Sequence, residues 1–308
     1  MDAARVHLYT HPACLGHVPG AAHVEVPARL EAVTGALSDA FPGLPWHSAP
    51  EATRAQLLRV HDPSLLALVL DSRFAEGDPP MHLDPDTVVG PGSAGAALRA
   101  AGAGIAAVDA VIAGGAARAF CAVRPPGHHA GHSTPMGFCL LNNVAVAAAH
   151  AVHGHGLSRV AIVDFDVHHG NGTQEILAGE PSMLYLSSHQ SPLFPDTGRS
   201  DGGGNALNRL LAPGTGSSGF RQAWDEHLLP ALHAWRPQLV LVSAGFDGHR
   251  LDPLADLRLD ADDFAWLTTR IRAIADRHAG GRLVSTLEGG YSLPALAEAV
   301  TAHVGALA

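Results

Sequence analysis

Short apolar runs alternate along this chain with longer amphipathic stretches. A short apolar run is typical of a buried strand, whereas apolar positions that recur at helical spacing indicate a helix. The runs predict strands at residues 119–123, 160–165, 183–186, 239–243 and 283–287. The amphipathic stretches predict helices at residues 93–113, 143–153, 219–235, 261–278 and 294–304.

The alternation of strands and helices predicts an α/β fold with a central parallel sheet and crossover helices on its faces. Runs such as RVAIVDF and LVLVSAGF are almost continuously apolar, as expected for strands covered on both sides. Two segments rich in glycine and proline, residues 76–92 and 194–219, are interpreted as long surface loops. We expect residues 1–308 to form a single catalytic domain.

Composition excludes several classes of protein. The 308 residues are 47% hydrophobic and 16% charged, with a net charge of −10, and the basic residues are scattered arginines without any lysine. This pattern predicts neither a nucleic-acid interface nor, in the absence of a long unbroken apolar run, a membrane span. The N-terminus has no apolar signal core, so we expect a cytoplasmic protein. Cys14, Cys121 and Cys139 show no CxxC spacing and indicate no disulfide framework.

Four predicted strands end directly in polar residues that can do chemistry. In a parallel sheet, ligands bind beyond the carboxyl ends of the strands, so these four segments should converge on one site. The polar segments are residues 124–129, 166–169, 247 and 288–291.

The strand end at residues 164–168 places possible metal ligands at alternate positions, which share a face in extended backbone. Asp166, His168 and Asp247 could together hold one metal ion and leave a fourth position open, as catalytic zinc requires. The alternative is a solvated strand end with a helix cap. For Asp247 alone, a turn aspartate is an equally good interpretation.

Paired histidines beside a metal can serve as general base and general acid. His128 and His129 follow a rigid Pro-Pro-Gly turn, and Asp164 and Asn171 are candidate acceptors that would orient them. Tyr291 follows two glycines after a buried strand, where a phenol could stabilise an oxyanion. Taken singly, these side chains are better explained as two structural histidines and an interfacial tyrosine.

Phe138 and Phe194 could form the walls of a slot for an aliphatic chain, although core packing is the alternative. Cys139 lies in an apolar run and is interpreted as a core residue rather than a nucleophile. The glycine run at residues 202–204 lacks the pattern of a phosphate loop, so no nucleotide is expected there.

Five motifs in the expected order resemble the zinc-dependent histone deacetylase family. They are RPPGHHA (124–130), GFCLLNN (137–143), DFDVHHGNGTQ (164–174), AGFDGHRLDPL (244–254) and EGGYSL (288–293). The resemblance is to the class II-like bacterial branch, which includes acetylpolyamine amidohydrolases and acetoin-utilisation proteins. It implies the arginase–deacetylase fold and a deacetylase or deacylase activity on linear amide bonds.

The resemblance also implies roles for individual residues. Asp166, His168 and Asp247 would bind zinc, or iron(II) in its place, and His129 would be the general base. His128 would protonate the leaving amine, Asp164 and Asn171 would orient the two histidines, and Tyr291 would stabilise the transition state. The acyl channel would contain Gly137, Phe138, Phe194 and, at its rim, Leu254. A structural potassium ion would lie near Asp164, Asp166, His168, Ser187 and Ser188, bound largely by carbonyl oxygens.

Departures from the family pattern concern the substrate. His17 is followed by Val18 rather than aspartate, and Leu254 stands where polyamine-selective relatives can carry a glutamate. The expected substrate is an acylated lysine peptide or a small N-acyl amine, with an acetylpolyamine as the alternative, and a homo-oligomer is compatible with the sequence. Two other interpretations stay open: an arginase-like hydrolase with two metal ions, and a catalytically silent acyl-lysine binder.

Overall fold

A computed structural model describes residues 6–20, 22–75, 77–202 and 204–308. Its centre is an eight-stranded sheet in which every pair of neighbouring strands is parallel. The sheet strands are β1 (Val6–Thr10), β2 (Trp46–Ser48), β5 (Arg118–Cys121), β6 (Val160–Asp164), β7 (Met183–Gln190), β8 (Ala206–Leu211), β9 (Leu239–Ala244) and β10 (Leu283–Leu287). A short antiparallel pair consists of β3 (Met81–His82) and β4 (Val88–Val89).

Helices lie in the connections between the strands. They are α1 (Pro27–Ala40), α2 (Arg54–Leu57), α3 (Pro63–Leu70), α4 (Ser93–Ile112), α5 (Asn143–His153), α6 (Asn171–Leu177), α7 (Ser217–Ala223), α8 (Leu229–Trp235), α9 (Ala261–His278) and α10 (Leu293–Leu307). The five predicted strands are confirmed, with ends shifted by a few residues. The small side chains of α4 and α5 let these two helices pack closely at Gly104, where a Cβ would lie 3.1 Å from Ala147.

The structure corrects three sequence predictions. The segment at residues 76–92 is not a plain loop, because it contains β3 and β4, and the segment at 194–219 contains β8 and the start of α7. Glu76 and Gly203, which belong to the predicted loop and to the glycine run, lie outside the described residues. The helix predicted at 219–235 is divided by a π-helical turn at Trp224–Leu228, just before Pro230.

Helix α4 is long and apolar enough to cross a membrane by length and composition alone. However, 61% of its apolar window is buried inside the fold, where residues such as Ala100, Ala107 and Val108 have no exposed surface. The apolarity of α4 is therefore explained by its place in the core.

The strand order of the sheet is β2-β1-β5-β10-β9-β6-β7-β8. The four strands whose ends carry polar motifs, β5, β10, β9 and β6, are consecutive in this order. Their carboxyl ends therefore meet at one edge, as expected from the motifs.

Candidate metal centre and active site

Asp166, His168 and Asp247 are brought together just beyond the ends of β6 and β9, which are neighbours in the sheet. Their ligand atoms all lie within 4.8 Å of one another, and all three residues are buried. Nδ1 of His168 is 3.0 Å from Oδ1 of Asp166 and 3.1 Å from Oδ2 of Asp247.

Backbone amides hold both carboxylates in place. Oδ2 of Asp166 accepts a hydrogen bond from the Gly289 N–H at 2.9 Å, and its Oδ1 accepts one from the His168 N–H at 2.9 Å. Oδ1 of Asp247 accepts from the Val167 N–H at 3.0 Å. These donors come from rigid strand ends, so the positions of the carboxylate oxygens are fixed.

The local electrostatics favour a cation at this position. Burial by itself lowers the pKa of His168, but its hydrogen bonds to Asp166 and Asp247 outweigh burial and raise the pKa to about 10. Burial, together with the charge of Asp166, raises the pKa of Asp247 to about 7. The two carboxylates lie in a site of low dielectric, so a positive charge placed between them stabilises their ionised forms.

The donor set fits a divalent zinc ion. Two carboxylate oxygens and one imidazole nitrogen are ligands that zinc uses in catalytic sites with an open fourth position. Among the described residues, this is the one group of three possible ligands that is fully buried. A metal bound there would replace the proton that His168 otherwise holds between the two carboxylates.

The turn that carries His128 and His129 lies beside these ligands, and hydrogen bonds to the Glu288 side chain hold it in place. Oε2 of Glu288 accepts hydrogen bonds from the Gly127 N–H at 2.6 Å and the His128 N–H at 3.2 Å. Its Oε1 accepts from the Ser243 hydroxyl at 3.0 Å. The side chain of Glu288 therefore ties the histidine turn to the ends of β9 and β10, a role that sequence analysis did not assign.

His129 is arranged to act as a base. Its Nδ1 donates to Oδ1 of Asn171 at 2.8 Å, and the amide of Asn171 is oriented by donating from Nδ2 to Met136 Sδ at 3.3 Å. This assignment leaves Nε2 of His129 with a lone pair. Burial, followed by the nearby His128 and His168, lowers the pKa of His129 well below its usual value, so the imidazole is neutral.

His128 has the opposite character. Its Nδ1 donates to Oδ2 of Asp164 at 3.1 Å. Burial by itself lowers the pKa of His128, but Asp166 and Asp164 outweigh burial and raise the pKa to about 10. The surroundings thus shift the pKa values of the two histidines in opposite directions, although their ring centroids are only 4.0 Å apart.

Tyr291 is positioned by contacts of its backbone and of its ring. Its backbone N–H donates to Asp252 Oδ2 at 2.7 Å, and the guanidinium of Arg29 lies 4.7 Å from the ring centroid. Arg29 also donates to the carbonyl oxygens of Gly290 at 2.6 Å and Glu288 at 2.5 Å. The buried arginine therefore fixes the whole Glu-Gly-Gly-Tyr turn.

A cavity of about 240 Å³ leads to these groups. Its lining residues are Asp86, His129, Gly137, Phe138, His168, Leu193, Phe194, Leu254 and Tyr291. All four predicted channel residues thus lie on the cavity wall. Asp86 and Leu193 were not predicted, because nothing in the proline-rich segments around them distinguishes either residue.

The cavity wall is built on unusual backbone. Gly137 has φ of 55° and Phe138 has φ of 68°, a region that residues with a side chain rarely adopt. A Cβ on Gly137 would lie 2.5 Å from the His129 ring and 3.0 Å from Phe194. The Phe138 N–H donates to the Thr87 hydroxyl at 3.1 Å, which helps to hold this conformation. Glycine is required at residue 137 so that Phe138 can face the cavity.

Ser187 and Ser188, the remaining predicted site residues, lie on β7 beside the end of β6. Asp164 is paired in register with Ser187. The Ser187 hydroxyl is hydrogen-bonded to His189 Nδ1 at 2.9 Å, and the Ser188 hydroxyl accepts from Trp224 Nε1 at 3.0 Å. Both hydroxyls are therefore engaged with neighbouring side chains.

Comparison with known proteins gives a consistent result. The family model "Histone deacetylase domain" matches residues 23–307. The chain is 43% identical to the histone deacetylase-like amidohydrolase of Pseudomonas aeruginosa, over 91% of this chain and 74% of that protein. It is 38% identical to human polyamine deacetylase HDAC10, over 84% of this chain and 40% of that protein.

Other relatives are considerably longer than this chain. The chain spans only 20% of Type-2 histone deacetylase 2 from Dictyostelium discoideum, to which it is 37% identical across 96% of its own length.

The crystal structure of the HDA15 HD domain is similar to this structure, with a TM-score of 0.92 at 33% sequence identity. The match covers 99% of this chain and 88% of that one.

Proposed function

The chain belongs to the histone deacetylase family, and from that premise we propose that it is a zinc-dependent amidohydrolase that removes acyl groups from amines. Asp166, His168 and Asp247 would hold the metal. A bound zinc ion would polarise the acyl carbonyl and make a water molecule more acidic.

The remaining steps are carried out by side chains of this protein. The acyl chain binds between Phe138 and Phe194, which line the cavity. Nε2 of His129 accepts a proton from the attacking water, because its Nδ1 is committed to Asn171. The Tyr291 hydroxyl donates a hydrogen bond to the oxyanion that develops on the carbonyl oxygen. His128 or His129 then protonates the departing amine.

A single observation supports this proposal most strongly. His129, His168 and Tyr291 line the same narrow cavity, so a base, a metal ligand and an oxyanion donor all face one substrate position. Convergence of these three roles is what amide hydrolysis requires.

The substrate proposed is an acylated lysine peptide or a small N-acyl amine. Leu254 lines the cavity where polyamine-selective relatives can carry glutamate, so the rim has one carboxylate, Asp86, rather than two. A single carboxylate favours a substrate with one positive charge or none over a polycation. Acetylpolyamines remain the second candidate, because the chain also resembles a polyamine deacetylase.

The direct experiment is to measure acetate or acyl release from a panel of acyl-lysine peptides and acetylpolyamines. We expect turnover by zinc-reconstituted protein, loss of turnover with a chelator, and recovery when zinc is restored. A Leu254→Glu variant should shift the ratio of kcat/KM toward acetylpolyamines by about tenfold, as for one added charge contact at the half-buried rim. Preserved turnover in metal-stripped protein would contradict the proposal.

The same experiment separates the other interpretations. A silent binder would bind acetylated peptide without releasing acetate from metal-replete protein. An arginase-like hydrolase would contain two metal ions per chain, detectable by elemental analysis. We further propose that iron(II) can replace zinc, that a potassium ion lies near Asp164 and Ser187, and that residues 1–308 act as one cytoplasmic catalytic domain.

A further inference from the structure

Tyr185, in the middle of β7, is fully buried, and its hydroxyl reaches the catalytic groups. The hydroxyl donates a hydrogen bond to Asp164 Oδ2 at 2.9 Å and accepts one from the Gly170 N–H at 3.1 Å. A buried phenol needs hydrogen-bond partners for its polar end. In this case one partner is the last residue of β6 and the other directly precedes α6, so both lie in the stretch that carries catalytic residues.

The two partners of Tyr185 lead to the two catalytic histidines. Oδ2 of Asp164 accepts both from the Tyr185 hydroxyl and from Nδ1 of His128, at 3.1 Å. Gly170 directly precedes Asn171, whose Oδ1 accepts from Nδ1 of His129 at 2.8 Å. One hydroxyl therefore connects the group that orients His128 to the turn that orients His129.

The side chains of Asp164, Tyr185 and His128 pack closely around Gly170. A Cβ on Gly170 would collide with Asp164 Oδ2, and it would lie 2.5 Å from the Tyr185 hydroxyl and 3.1 Å from His128 Nδ1. The φ angle of Gly170 is −75°, which any residue can adopt. Glycine is therefore needed for space rather than for backbone conformation, since the phenol, the carboxylate and the imidazole leave no room for a methyl group.

We infer that Tyr185 is a positioning residue for catalysis, which holds the Asp164 carboxylate against His128 and the start of α6 against His129. The inference rests on the proposed function, because it concerns the histidines that transfer protons. Without the hydroxyl, Oδ2 of Asp164 would keep one donor, and the buried Gly170 N–H would lose its partner. Both histidines could then depart from their productive orientation.

Tyr185→Phe removes only this hydroxyl. We expect kcat on the best acyl-lysine peptide to fall by about tenfold, the low end of the range for groups that orient active-site residues, with KM within about twofold and full zinc content. Tyr9→Phe is the matched control, because Tyr9 is also a buried tyrosine of the same sheet, on β1. Its kcat should equal that of the wild type.

Double-mutant cycles distinguish positioning from a merely structural role. If the hydroxyl acts through the two histidines, the effect of Tyr185→Phe on kcat should shrink in a His128→Ala background and in an Asn171→Ala background. An undiminished effect in both backgrounds would overturn the inference. So would a variant with wild-type kcat whose melting temperature alone is lowered.

Gly170→Ala tests the same cluster without altering Tyr185 and serves if Tyr185→Phe fails to fold. It should lower kcat while leaving KM within about twofold, since the added methyl displaces Asp164 and His128 but not the acyl channel. Wild-type kcat in folded Gly170→Ala would also overturn the inference. Tyr291→Phe, measured in parallel, separates the two proposals. Full activity of the Tyr291→Phe variant would refute the proposed function. If Tyr291→Phe loses activity while Tyr185→Phe keeps wild-type kcat, only the role of Tyr185 is refuted.

Discussion

Two clusters in this molecule contain the same kinds of side chain in different surroundings. Asp166, His168 and Asp247 lie buried at strand ends, whereas Asp109, His150 and His155 lie near the ends of α4 and α5, where the Asp109 side chain is 52% exposed. Each group has its possible ligand atoms within 4.8 Å of one another. Residue type and proximity alone therefore do not distinguish them.

The hydrogen bonds of the two clusters differ. In the exposed cluster, Nε2 of His150 and Nε2 of His155 both contact the same oxygen, Oδ1 of Asp109, at 2.7 Å and 2.6 Å. These are ordinary hydrogen bonds that satisfy one carboxylate. Nδ1 of His150 is buried without a partner among the described residues.

In the buried cluster, one imidazole nitrogen lies between two separate carboxylates, and backbone amides hold each carboxylate. All three side chains are buried, so the negative charge of the two carboxylates favours a bound cation or protons beside them. The comparison teaches that a metal centre depends on fixed donors and uncompensated buried charge. We therefore expect the buried cluster to bind zinc tightly and the exposed cluster to bind it weakly.

The largest expected difference is in activity. Asp247→Ala should abolish zinc retention and lower turnover on an acyl-lysine peptide by on the order of a thousandfold, because metal polarisation of the carbonyl contributes several kcal/mol. Asp109→Ala is the matched control and should keep both zinc content and turnover. Zinc is measured by elemental analysis after dialysis, and acetate release gives turnover. The comparison fails if Asp109→Ala loses zinc to the same extent as Asp247→Ala.

A smaller difference is expected in stability. Zinc that binds only the folded protein should stabilise it by about 4 kcal/mol when free zinc exceeds the dissociation constant a thousandfold. Thermal unfolding with and without zinc should show a rise in Tm for the wild type and for Asp109→Ala. Asp247→Ala should show no such rise. An equal rise in all three proteins would place the stabilising zinc outside the buried cluster.

The smallest effect concerns the exposed cluster itself. Burial tends to raise the pKa of Asp109, but hydrogen bonds from His150 and His155 outweigh burial and lower it. Because the folded pKa lies below the unfolded value, this stabilisation is present above about pH 4 and is lost as the pH falls through the folded pKa. Asp109→Asn should cost less than about 1 kcal/mol at pH 7, since the pair is exposed.

Urea unfolding of Asp109→Asn and wild type at pH 7 and pH 3 checks this prediction. The difference in unfolding free energy should shrink toward the lower pH. A difference that grew on acidification would mean that Asp109 is stabilised in its protonated form, against the hydrogen bonds described.

Much of the active site was predictable because it follows from strand ends. A strand such as β10 is an apolar run that stops at a polar residue, Glu288, and parallel strands bring such ends together. The order of strands was not predictable, since it depends on contacts between residues far apart in sequence. The roles of Glu288 and Arg29 depend on that order, because the sheet places them beside the turns of His128 and Tyr291.

The features that sequence analysis missed have local causes as well. Strand β8, at the edge of the sheet, has the polar pair Asn208 and Arg209 at its centre, so it lacks the continuous apolar run of a central strand. The helix predicted at 219–235 is interrupted at Trp224–Leu228, where the Leu229 N–H bonds to the Trp224 carbonyl and Pro230 has no N–H to continue the ladder. Tyr185 was not identified because it lies in a largely apolar strand. A buried tyrosine nevertheless needs a hydrogen-bond partner for its hydroxyl.

The central claim is that the buried site hydrolyses an amide with Tyr291 stabilising the oxyanion, and Tyr291→Phe tests it most directly. Steady-state kinetics on an acetyl-lysine peptide should show kcat lowered by on the order of a hundredfold, with zinc content unchanged. Wild-type turnover by zinc-loaded Tyr291→Phe protein would contradict the account.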